Sequence, residues 1–587
     1  MRIHIKAGLF LGALGIAGCD LEVLNPNDPE TDRVLSTPTD VESLAGAQYK
    51  RWHEGVYTNL GNVNGMASVQ SFENYSALAN NCMNQRNPIP RPANNNDIGN
   101  GCGGEQRRVY DVMSEVTRTT SNVLDRIQAD GFSLEGSEAR RLRAEAIAEF
   151  SRGLALGYLA LIYDSAAVVT QGMDSEDPGE LVGYMEVMDS ALVGLDRAIA
   201  ATEASVDASG SGGFPIPTEW IPTPTPLGGP AFIQLVRSYK ARFRANVARD
   251  PTERAAVDWA SVIDDATNGI TADHMNVTNR TTGPFYTWAS QWHTFSTWHQ
   301  MPPWVIGMAD VSGEYANWIA QPLNDRGSSG AFFMVTPDLR FPQGATRGAQ
   351  QTDFAITSCS GASQKCKRYF VNRPTGDDQF QGPGWGWSNY DHVRFRSWHI
   401  AGDGGGARNG PITFMTKAEI DLLAAEGHIR LGNYAAAAAL IDRTRTAGMR
   451  CRANVTLAPP NCPSSDTSTF ATGGGLPALT GVVNDLTTPV PGGASCVPKV
   501  PVGPSFTTVA CGNIMEAMKY EKRIETVQTH FAAWFLDMRG WGDLVEGTPV
   551  HWAPPYQDLQ ARGLPTYSTG GFGVNNPGTA QRGTYGW

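Results

Sequence analysis

Residues 416–448 of this 587-residue chain read TKAEIDLLAAEGHIRLGNYAAAAALIDRTRTAG, and this stretch indicates the fold more clearly than any other. Apolar and small side chains recur at steps of three and four before the turn at residues 431–434, and they predict a helix that begins at Thr413. The alanine-rich residues 435–447 predict a second helix, which Gly448 ends. The stretch therefore predicts two antiparallel helices joined by a tight turn.

This helix pair resembles a tetratricopeptide unit, in which small residues at the turn let two helices pack closely. Periodic apolar residues predict further helices elsewhere. Those segments are residues 40–52, 105–129, 137–167, 184–204, 231–249, 252–268 and 512–537. No strict 34-residue period joins them, so any repeats are degenerate. The sequence predicts a mainly α protein, built from tetratricopeptide-like helix pairs with long loop-rich insertions and few short strands.

Two regions lack helical periodicity. Residues 269–411 are rich in Trp, Gly, Pro and Thr, and residues 451–511 are rich in Gly, Pro, Ser and Thr. The length of the chain suggests two to four domains, although large helical repeats can form one unit. We expect residues 40–587 to form one helical domain that carries these two insertions.

The N-terminus has the features of a secretion signal. A short basic start is followed by an apolar run over residues 7–17, too short for the ~20 residues that span a bilayer. Cys19 comes directly after Ala17-Gly18, and this arrangement resembles the lipobox of bacterial lipoproteins, in which the thiol is acylated. We predict a signal peptide over residues 1–18, a lipid anchor at Cys19 and a tether over residues 19–39. The alternative is an ordinary secreted protein in which Cys19 is one more thiol.

Composition narrows the possible partners. The net charge is −12, which argues against binding to nucleic acid. Hydrophobic residues make up 41% of the chain and aromatic residues 9%, which is typical of a globular protein. No stretch after residue 19 is apolar for long enough to span a membrane. The sequence therefore predicts a folded extracytoplasmic protein with no nucleic-acid partner.

The nine cysteines support an oxidising compartment. If Cys19 is acylated, eight remain, and an even number outside the cytoplasm predicts disulfides. We expect the pairs Cys82–Cys102 and Cys359–Cys366. The last group allows three connectivities and consists of Cys451, Cys462, Cys496 and Cys511. Metal binding is less favoured, because no CxxC occurs and no His lies near these thiols at ligand spacing. We predict no metal and no cofactor.

Four segments, spread from end to end, resemble the SusD/RagB family of nutrient-binding outer-membrane lipoproteins. They are the mature start Cys19-Asp20-Leu21-Glu22-Val23 with Asn25-Pro26-Asn27, the helix start at residues 37–42, the helix pair at 416–448, and Tyr520–Glu525 followed by Trp534, Asp537-Met538-Arg539 and Trp541-Gly542. One departure is Gly540, where the family often has a second arginine. We interpret the charged residues of the last segment as structural ion pairs that hold it to the helical core. Those residues are Glu521, Arg523, Glu525, Asp537 and Arg539.

The resemblance implies a fold and a function. Such proteins sit on the outer leaflet of the outer membrane and face the exterior. They cap a TonB-dependent barrel transporter of the SusC type and capture glycans, oligosaccharides or, in some branches, peptides. The family does no chemistry, so the resemblance implies that the chain is not an enzyme.

Aromatic residues concentrate in the helix-free middle of the chain, where their faces could stack on sugar rings. Loops on a rigid scaffold are common places for such sites. The candidate ligand-binding residues are Trp288, Trp292, Trp298, Trp304, Trp385, Trp387 and Tyr390, with Asn81 and Arg86 on a second loop. The alternative is that these aromatic residues fill a core under long loops.

Two other classes of protein remain possible from the residues alone. A lipid-anchored glycan-degrading enzyme would need a carboxylate pair, and no motif singles one out. GxSxG and P-loop motifs are absent, and no GxGxxG stands in the strand–helix context of a Rossmann fold. The six-residue spacing of His293 and His299 is a weak metal signal. A tetratricopeptide-like scaffold that binds other proteins is the second alternative. We predict no catalytic residue.

Overall fold

Helices dominate the structure, so the predicted mainly α fold is confirmed. The computed structural model describes residues 35–57, 63–74, 86, 88–174, 177–209, 213–278, 285, 301–322, 326, 332–354, 366–373, 388–395, 410–451 and 469–587. The helices are α1 (Pro38–Tyr57), α2 (Val63–Gln70), α3 (Gly103–Ile127), α4 (Glu138–Ile162), α5 (Tyr184–Ser209), α6 (Gly229–Asn246), α7 (Pro251–Ala256), α8 (Trp259–Thr267), α9 (Pro303–Ile306), α10 (Glu314–Ala320), α11 (Arg347–Asp353), α12 (Lys417–Arg430), α13 (Tyr434–Arg445), α14 (Ile514–Thr526), α15 (Ala533–Trp541) and α16 (Tyr556–Ala561). The strands are β1 (Ser165–Ala167), β2 (Leu181–Gly183), β3 (His274–Thr278), β4 (Phe370–Asn372), β5 (Tyr390–His392), β6 (Gly410–Met415), β7 (Met449–Cys451), β8 (Thr469–Ala471), β9 (Lys499–Val502) and β10 (Thr508–Cys511).

Helices that follow one another in the chain pack side by side, and α4 packs most extensively against α5. Two glycines in α4 allow this close approach. A Cβ on Gly157 would lie 2.1 Å from Cε2 of Phe243 in α6, and one on Gly153 would lie 2.8 Å from Cδ2 of Leu195 in α5. The small residues of α4 therefore set the distance between these three helices.

The helix pair α12–α13 forms as predicted, with a different start. The helix begins at Lys417 instead of Thr413, because Thr416 caps it and accepts a hydrogen bond from the Glu419 N–H at 3.0 Å. Thr413 lies in β6 instead. The turn contains Gly432 at φ +77°, a conformation that favours glycine.

The predicted helix at 137–167 is wrong at its C-terminal end, and the predicted helix at 252–268 is wrong in its middle. Helix α4 ends at Ile162, and residues 165–167 form β1, which pairs with β2. The second segment divides into α7 and α8, because Val257 leaves the helical conformation at ψ 140°. Asp258 then caps α8 by accepting a hydrogen bond from the Ser261 N–H at 3.2 Å.

The predicted helix 512–537 is also wrong, since α14 and α15 are separated by a break. Gln528 and Ala532 have φ of +55° and +53° there, which a helix cannot accommodate. Their N–H groups donate to side chains near α2: Gln528 to Oε1 of Glu73 at 2.6 Å, and Ala532 to Oδ1 of Asn64 at 2.8 Å. Distant side chains thus replace the helical hydrogen bonds at this break.

Every described strand pairs with one neighbour in an antiparallel two-stranded sheet. Strands β3 and β6 pair, so the two ends of the segment 279–409 lie side by side. Strands β4 and β5 likewise bring residues 373 and 389 together, and β7 and β8 do the same for residues 451 and 469. These sheets attach the long insertions to the helical scaffold at defined bases.

One disulfide is made within the last group of cysteines, between Cys496 and Cys511, 15 residues apart. Of the three possible connectivities, this pair belongs to the one in which Cys451 and Cys462 are the two remaining cysteines. Cys102, Cys366 and Cys451 are also disulfide-bonded. Cys82, Cys359 and Cys462 lie outside the described residues, so the pairs Cys82–Cys102 and Cys359–Cys366 stay predictions.

Candidate functional site

Trp304, one of the predicted ligand-binding residues, lies in the core. Its side chain is 0% exposed. It stacks on Phe72 with ring centroids 4.8 Å apart, and it packs edge to face with Trp318 and Trp587, each at 5.0 Å. The structure therefore assigns Trp304 to an aromatic core, which is the ordinary place for a large ring.

Tyr390 and Arg86 are buried as well. The Tyr390 hydroxyl donates to Oε1 of Gln350 at 2.8 Å and accepts from the Met334 N–H at 3.2 Å. These bonds tie β5 to α11, so Tyr390 has a structural role in place of the predicted ligand contact. The remaining candidates lie outside the described residues, and their roles stay predictions. They are Asn81, Trp288, Trp292, Trp298, Trp385 and Trp387.

Buried ion pairs join the segments that carried the family resemblance. Arg254 in α7 contacts Oε2 of Glu426 in α12 at 2.6 Å and Oδ1 of Asp537 in α15 at 3.3 Å. Lys522 in α14 contacts Asp537 at 2.7 Å. Burial raises the pKa of Glu426, but the charge of Arg254 outweighs it and lowers that pKa to about 2. Four helices distant in sequence therefore meet at one charge cluster.

A second cluster links the loop-rich insertion at residues 269–411, called the aromatic insertion below, to α14. The Arg340 guanidinium contacts Asp338 and Glu521, each at 2.7 Å, and Glu525 at 3.0 Å. Arg394 contacts Glu525 at 2.8 Å. The interpretation of these acidic residues as structural ion pairs agrees with their geometry, because Asp338, Glu521 and Glu525 are buried and each contacts an arginine.

The C-terminal segment borders a cleft of about 680 Å³, a size typical of small-molecule sites. The start of α5, the turn between α6 and α7, and residues 578–584 form its walls. Its lining residues are Tyr184, Arg249, Asp250, Pro251, Glu253, Phe506, Arg539, Gly542, Leu544, Val550, His551, Gly578, Thr579, Ala580, Gln581, Arg582, Gly583 and Thr584. Sequence reasoning did not find this cleft, because its walls come from five separate segments.

Arg249 forms one wall and is 4% exposed. Its guanidinium lies 3.5 Å from the ring centroid of Tyr184, a cation–π contact. Its Nη2 donates to the carbonyl oxygens of Ala160 at 2.9 Å and Tyr163 at 2.6 Å, at the C-terminus of α4. The Tyr184 hydroxyl donates to Glu253, which fixes the ring over the guanidinium. Burial lowers the pKa of Arg249 to about 10.

Arg539 forms the adjoining wall, and here the predicted ion pair is wrong. Its guanidinium donates to three carbonyl oxygens, those of Leu161, Val550 and Asn246, each at 2.8 Å. Within the described part of the chain it pairs with no carboxylate. Burial lowers the pKa of Arg539 well below its usual value. Arg539 thus holds the C-terminal segment to the ends of α4 and α6 by capping helices.

His551 lies beside the two arginines and faces the same cleft. Neither ring nitrogen forms a hydrogen bond with a described residue, and Nε2 lies 3.7 Å from Oδ2 of Asp164. Burial, together with the arginine charges, lowers the pKa of His551 to about 2, so the ring is neutral at pH 7.

Among the described residues, no group of three or more His, Cys, Asp or Glu side chains could hold a metal ion. No helix in the described ranges is both long and apolar enough to cross a membrane.

Comparisons with known proteins give structural matches alone. No family model matches the sequence, and no curated protein matches it. The similar solved structures include SusD-superfamily proteins. A SusD-superfamily protein from Bacteroides vulgatus is 14% identical, with 87% of this chain and 89% of that chain covered and a TM-score of 0.39. A laminarin-binding SusD-like protein is 12% identical, with 92% and 99% covered and a TM-score of 0.44. A SusD-superfamily protein from Bacteroides fragilis is 10% identical, with 91% and 100% covered and a TM-score of 0.45.

Proposed function

We propose that this chain is a SusD-type surface lipoprotein, anchored through Cys19 to the outer membrane and facing the exterior. It binds a nutrient, an oligosaccharide in preference to a peptide, and delivers it to a TonB-dependent SusC-like barrel transporter. It carries out no catalysis itself.

The observation that carries this proposal is the meeting of the family-like segments in space. The helix pair at 416–448 contributes Glu426, and the C-terminal segment contributes Lys522 and Asp537 to one buried charge cluster. Buried charges are costly unless they are paired, so a shared cluster of this kind is a strong constraint on a fold. The segments that resemble the family therefore act as one structural unit in this chain.

The aromatic insertion supports a glycan ligand. Its two ends are joined by β3 and β6 on the helical scaffold, and β4 and β5 make a second base. Loops held at rigid bases are suited to binding. Trp304 and Tyr390 belong to the core, so the proposed ligand contacts are Trp288, Trp292, Trp298, Trp385 and Trp387.

A binding screen tests the proposal. The mature chain carrying C19S is applied to glycan and peptide arrays, and affinities for the hits are measured by calorimetry. Single changes of the five proposed tryptophans to Ala are compared with Trp220→Ala, a half-buried tryptophan outside the insertion. We expect at least one of the five to weaken binding about tenfold, equivalent to about 1.4 kcal/mol, and Trp220→Ala to leave it unchanged.

Three results would contradict the proposal in different ways. Unchanged affinity in all five variants would show that the ligand binds elsewhere. Release of shorter sugars during the assay would indicate an enzyme. Absence of any glycan or peptide ligand, together with co-purification of another soluble protein, would favour the scaffold alternative. Co-purification of the native lipoprotein with a large TonB-dependent barrel from detergent extracts tests the transporter partner.

A further inference from the structure

We infer that the cleft beside the C-terminal segment is a second ligand site, which binds a small molecule through an oxyanion group such as a carboxylate, sulfate or phosphate. None of its lining residues belongs to the aromatic insertion. The site is therefore separate from the proposed nutrient site and does not depend on it.

The wall of the cleft contains buried positive charge. Arg249 and Arg539 are buried, and neither forms an ion pair with a carboxylate of the described residues. Arg254 and Arg340, two other buried arginines, have such carboxylate partners, whereas the buried Arg445 has none among the described residues. An uncompensated buried charge costs several kcal/mol, and a bound anion offsets that cost. The pair is the feature that favours an anionic ligand.

Helix capping uses only some of the guanidinium nitrogens of Arg249 and Arg539. Arg249 uses Nη2 for its carbonyl bonds, while its Nε and Nη1 have no hydrogen-bond partner among the described residues. Arg539 uses both terminal nitrogens, and its Nε has no partner there. A carbonyl oxygen carries only a partial charge, so the capping bonds do not neutralise two full charges.

The rest of the cleft suits an anion of modest size. Arg582 at the rim is exposed and adds a third cation, and it lies over the ring of Phe506 at 5.3 Å. Asp250 and Glu253 are the acidic lining residues, and both are occupied. Asp250 caps α7, accepting from the Thr252 and Glu253 N–H groups, while Glu253 accepts from Tyr184 and from the Arg249 N–H. Both carboxylates keep their charge, so the lining holds three arginines against two carboxylates and stays net positive.

Apolar residues complete the wall and favour an organic ligand that carries the anion. Leu544, Val550 and Phe506 line the cleft together with the charged side chains. The neutral His551 offers a further polar group with unused ring nitrogens. A pocket with apolar walls and a few convergent polar groups is the usual form of a small-molecule site. An acidic sugar has this combination of a ring and a carboxylate.

The test uses the mature C19S chain in a chloride buffer of low ionic strength. Glucuronate, sulfate and phosphate are titrated separately by calorimetry, with glucose as the uncharged control. We expect saturable binding of at least one oxyanion, no binding of glucose, and a rise of the unfolding midpoint with oxyanion concentration. Preference for glucuronate over the inorganic ions would identify an organic carboxylate as the ligand class.

Charge variants locate the site. Arg582→Glu changes an exposed rim residue and is expected to weaken oxyanion binding at least about tenfold, and Arg249→Gln is expected to do the same. Arg450→Glu makes the same charge reversal at an exposed position outside the cleft and should leave affinity unchanged. If Arg249→Gln does not fold, Arg582→Glu against Arg450→Glu still decides the question.

Two outcomes would overturn the inference. Lack of saturable binding by all three oxyanions would show that the cleft holds no anion. Equal affinities in the Arg582→Glu and Arg450→Glu variants would show that any binding is a general charge effect. Either result leaves the proposed glycan function intact, because the glycan screen reports on different residues.

Discussion

Glu73 illustrates how burial alone sets the protonation of a single side chain. It is 1% exposed, and it accepts a hydrogen bond from the Gln528 N–H at the break between α14 and α15. Burial raises its pKa from 4.5 to about 8, against the lowering effect of that hydrogen bond. The folded protein therefore keeps this carboxyl protonated between pH 4.5 and 8, whereas the unfolded chain releases the proton. Glu73 makes stability fall as pH rises through this window.

Glu73→Gln removes this pH dependence and keeps an oxygen that can accept from Gln528. We expect the variant to match the natural protein near pH 4 and to be more stable by about 4 kcal/mol at pH 8. Urea unfolding followed by circular dichroism at both pH values measures the difference. A stability difference that does not change between pH 4 and pH 8 would contradict the raised pKa.

At the scale of an element, α4 depends on the absence of side chains at its crossing points. A Cβ on Gly157 would overlap the ring of Phe243, which is itself buried and cannot move aside. Gly104 in α3 offers a matched control, because a Cβ there meets nothing within 4 Å. The same substitution therefore has opposite consequences in two helices.

We expect Gly157→Ala to destabilise the fold by about 1–3 kcal/mol through overpacking. Gly104→Ala should be neutral or stabilising by up to about 1 kcal/mol, because alanine has the higher helix propensity. Thermal and urea unfolding of the two variants, measured together, check both values. Equal stability of the two variants would show that α4, α5 and α6 pack less closely than in this structure.

At the scale of the whole molecule, buried ion clusters connect regions that are far apart in sequence. Arg340 lies in the aromatic insertion, and its partners Glu521 and Glu525 lie in α14 near the C-terminus. Removing one partner leaves the other charges buried and unpaired. The cluster therefore couples the insertion to the C-terminal helix.

Arg340→Met should cost about 3–5 kcal/mol, because Asp338 and Glu521 would remain charged in the core. Arg443→Met is the control: Arg443 is 56% exposed and contacts Asp421 at 2.9 Å, so its loss should cost less than about 1 kcal/mol. Urea unfolding measures both. A small effect of Arg340→Met would mean that the carboxylates of this cluster can be neutralised by protonation.

The N-terminal sequence makes a prediction about the location of the whole molecule. Cys19→Ser removes the proposed acylation site, and we expect the mature protein to move from the membrane fraction to the soluble fraction. Fractionation of cells, with labelling by a radioactive fatty acid, checks the change. Cys496→Ser is the control, since it removes a cysteine of the Cys496–Cys511 disulfide and leaves the anchor. Equal membrane association of both variants would contradict a lipid anchor at Cys19.

Much of the fold could be predicted from the sequence, but the candidate sites could not. The helix pair at 416–448 and its turn at Gly432 follow from apolar periodicity and turn residues, although the first helix begins at Lys417 and not at Thr413. The break at Gln528 and Ala532 was missed, because apolar periodicity continues across it and the side chains that stabilise it, Asn64 and Glu73, lie in α2 or just after it. The burial of Trp304 was also missed, since a tryptophan has the same local signal in a core and on a ligand surface.

Most of the helices, the turn at Gly432 and the even set of cysteines that remains beside Cys19 could be read from the chain alone. Periodicity, turn residues and cysteine counts are properties of the chain itself, so they are present before any packing. Only the tertiary structure decided that Arg539 binds carbonyl oxygens instead of carboxylates, and that it meets Arg249 in the wall of a cleft. The partners of a buried polar group come from segments far apart in sequence, and packing alone selects which of them approach.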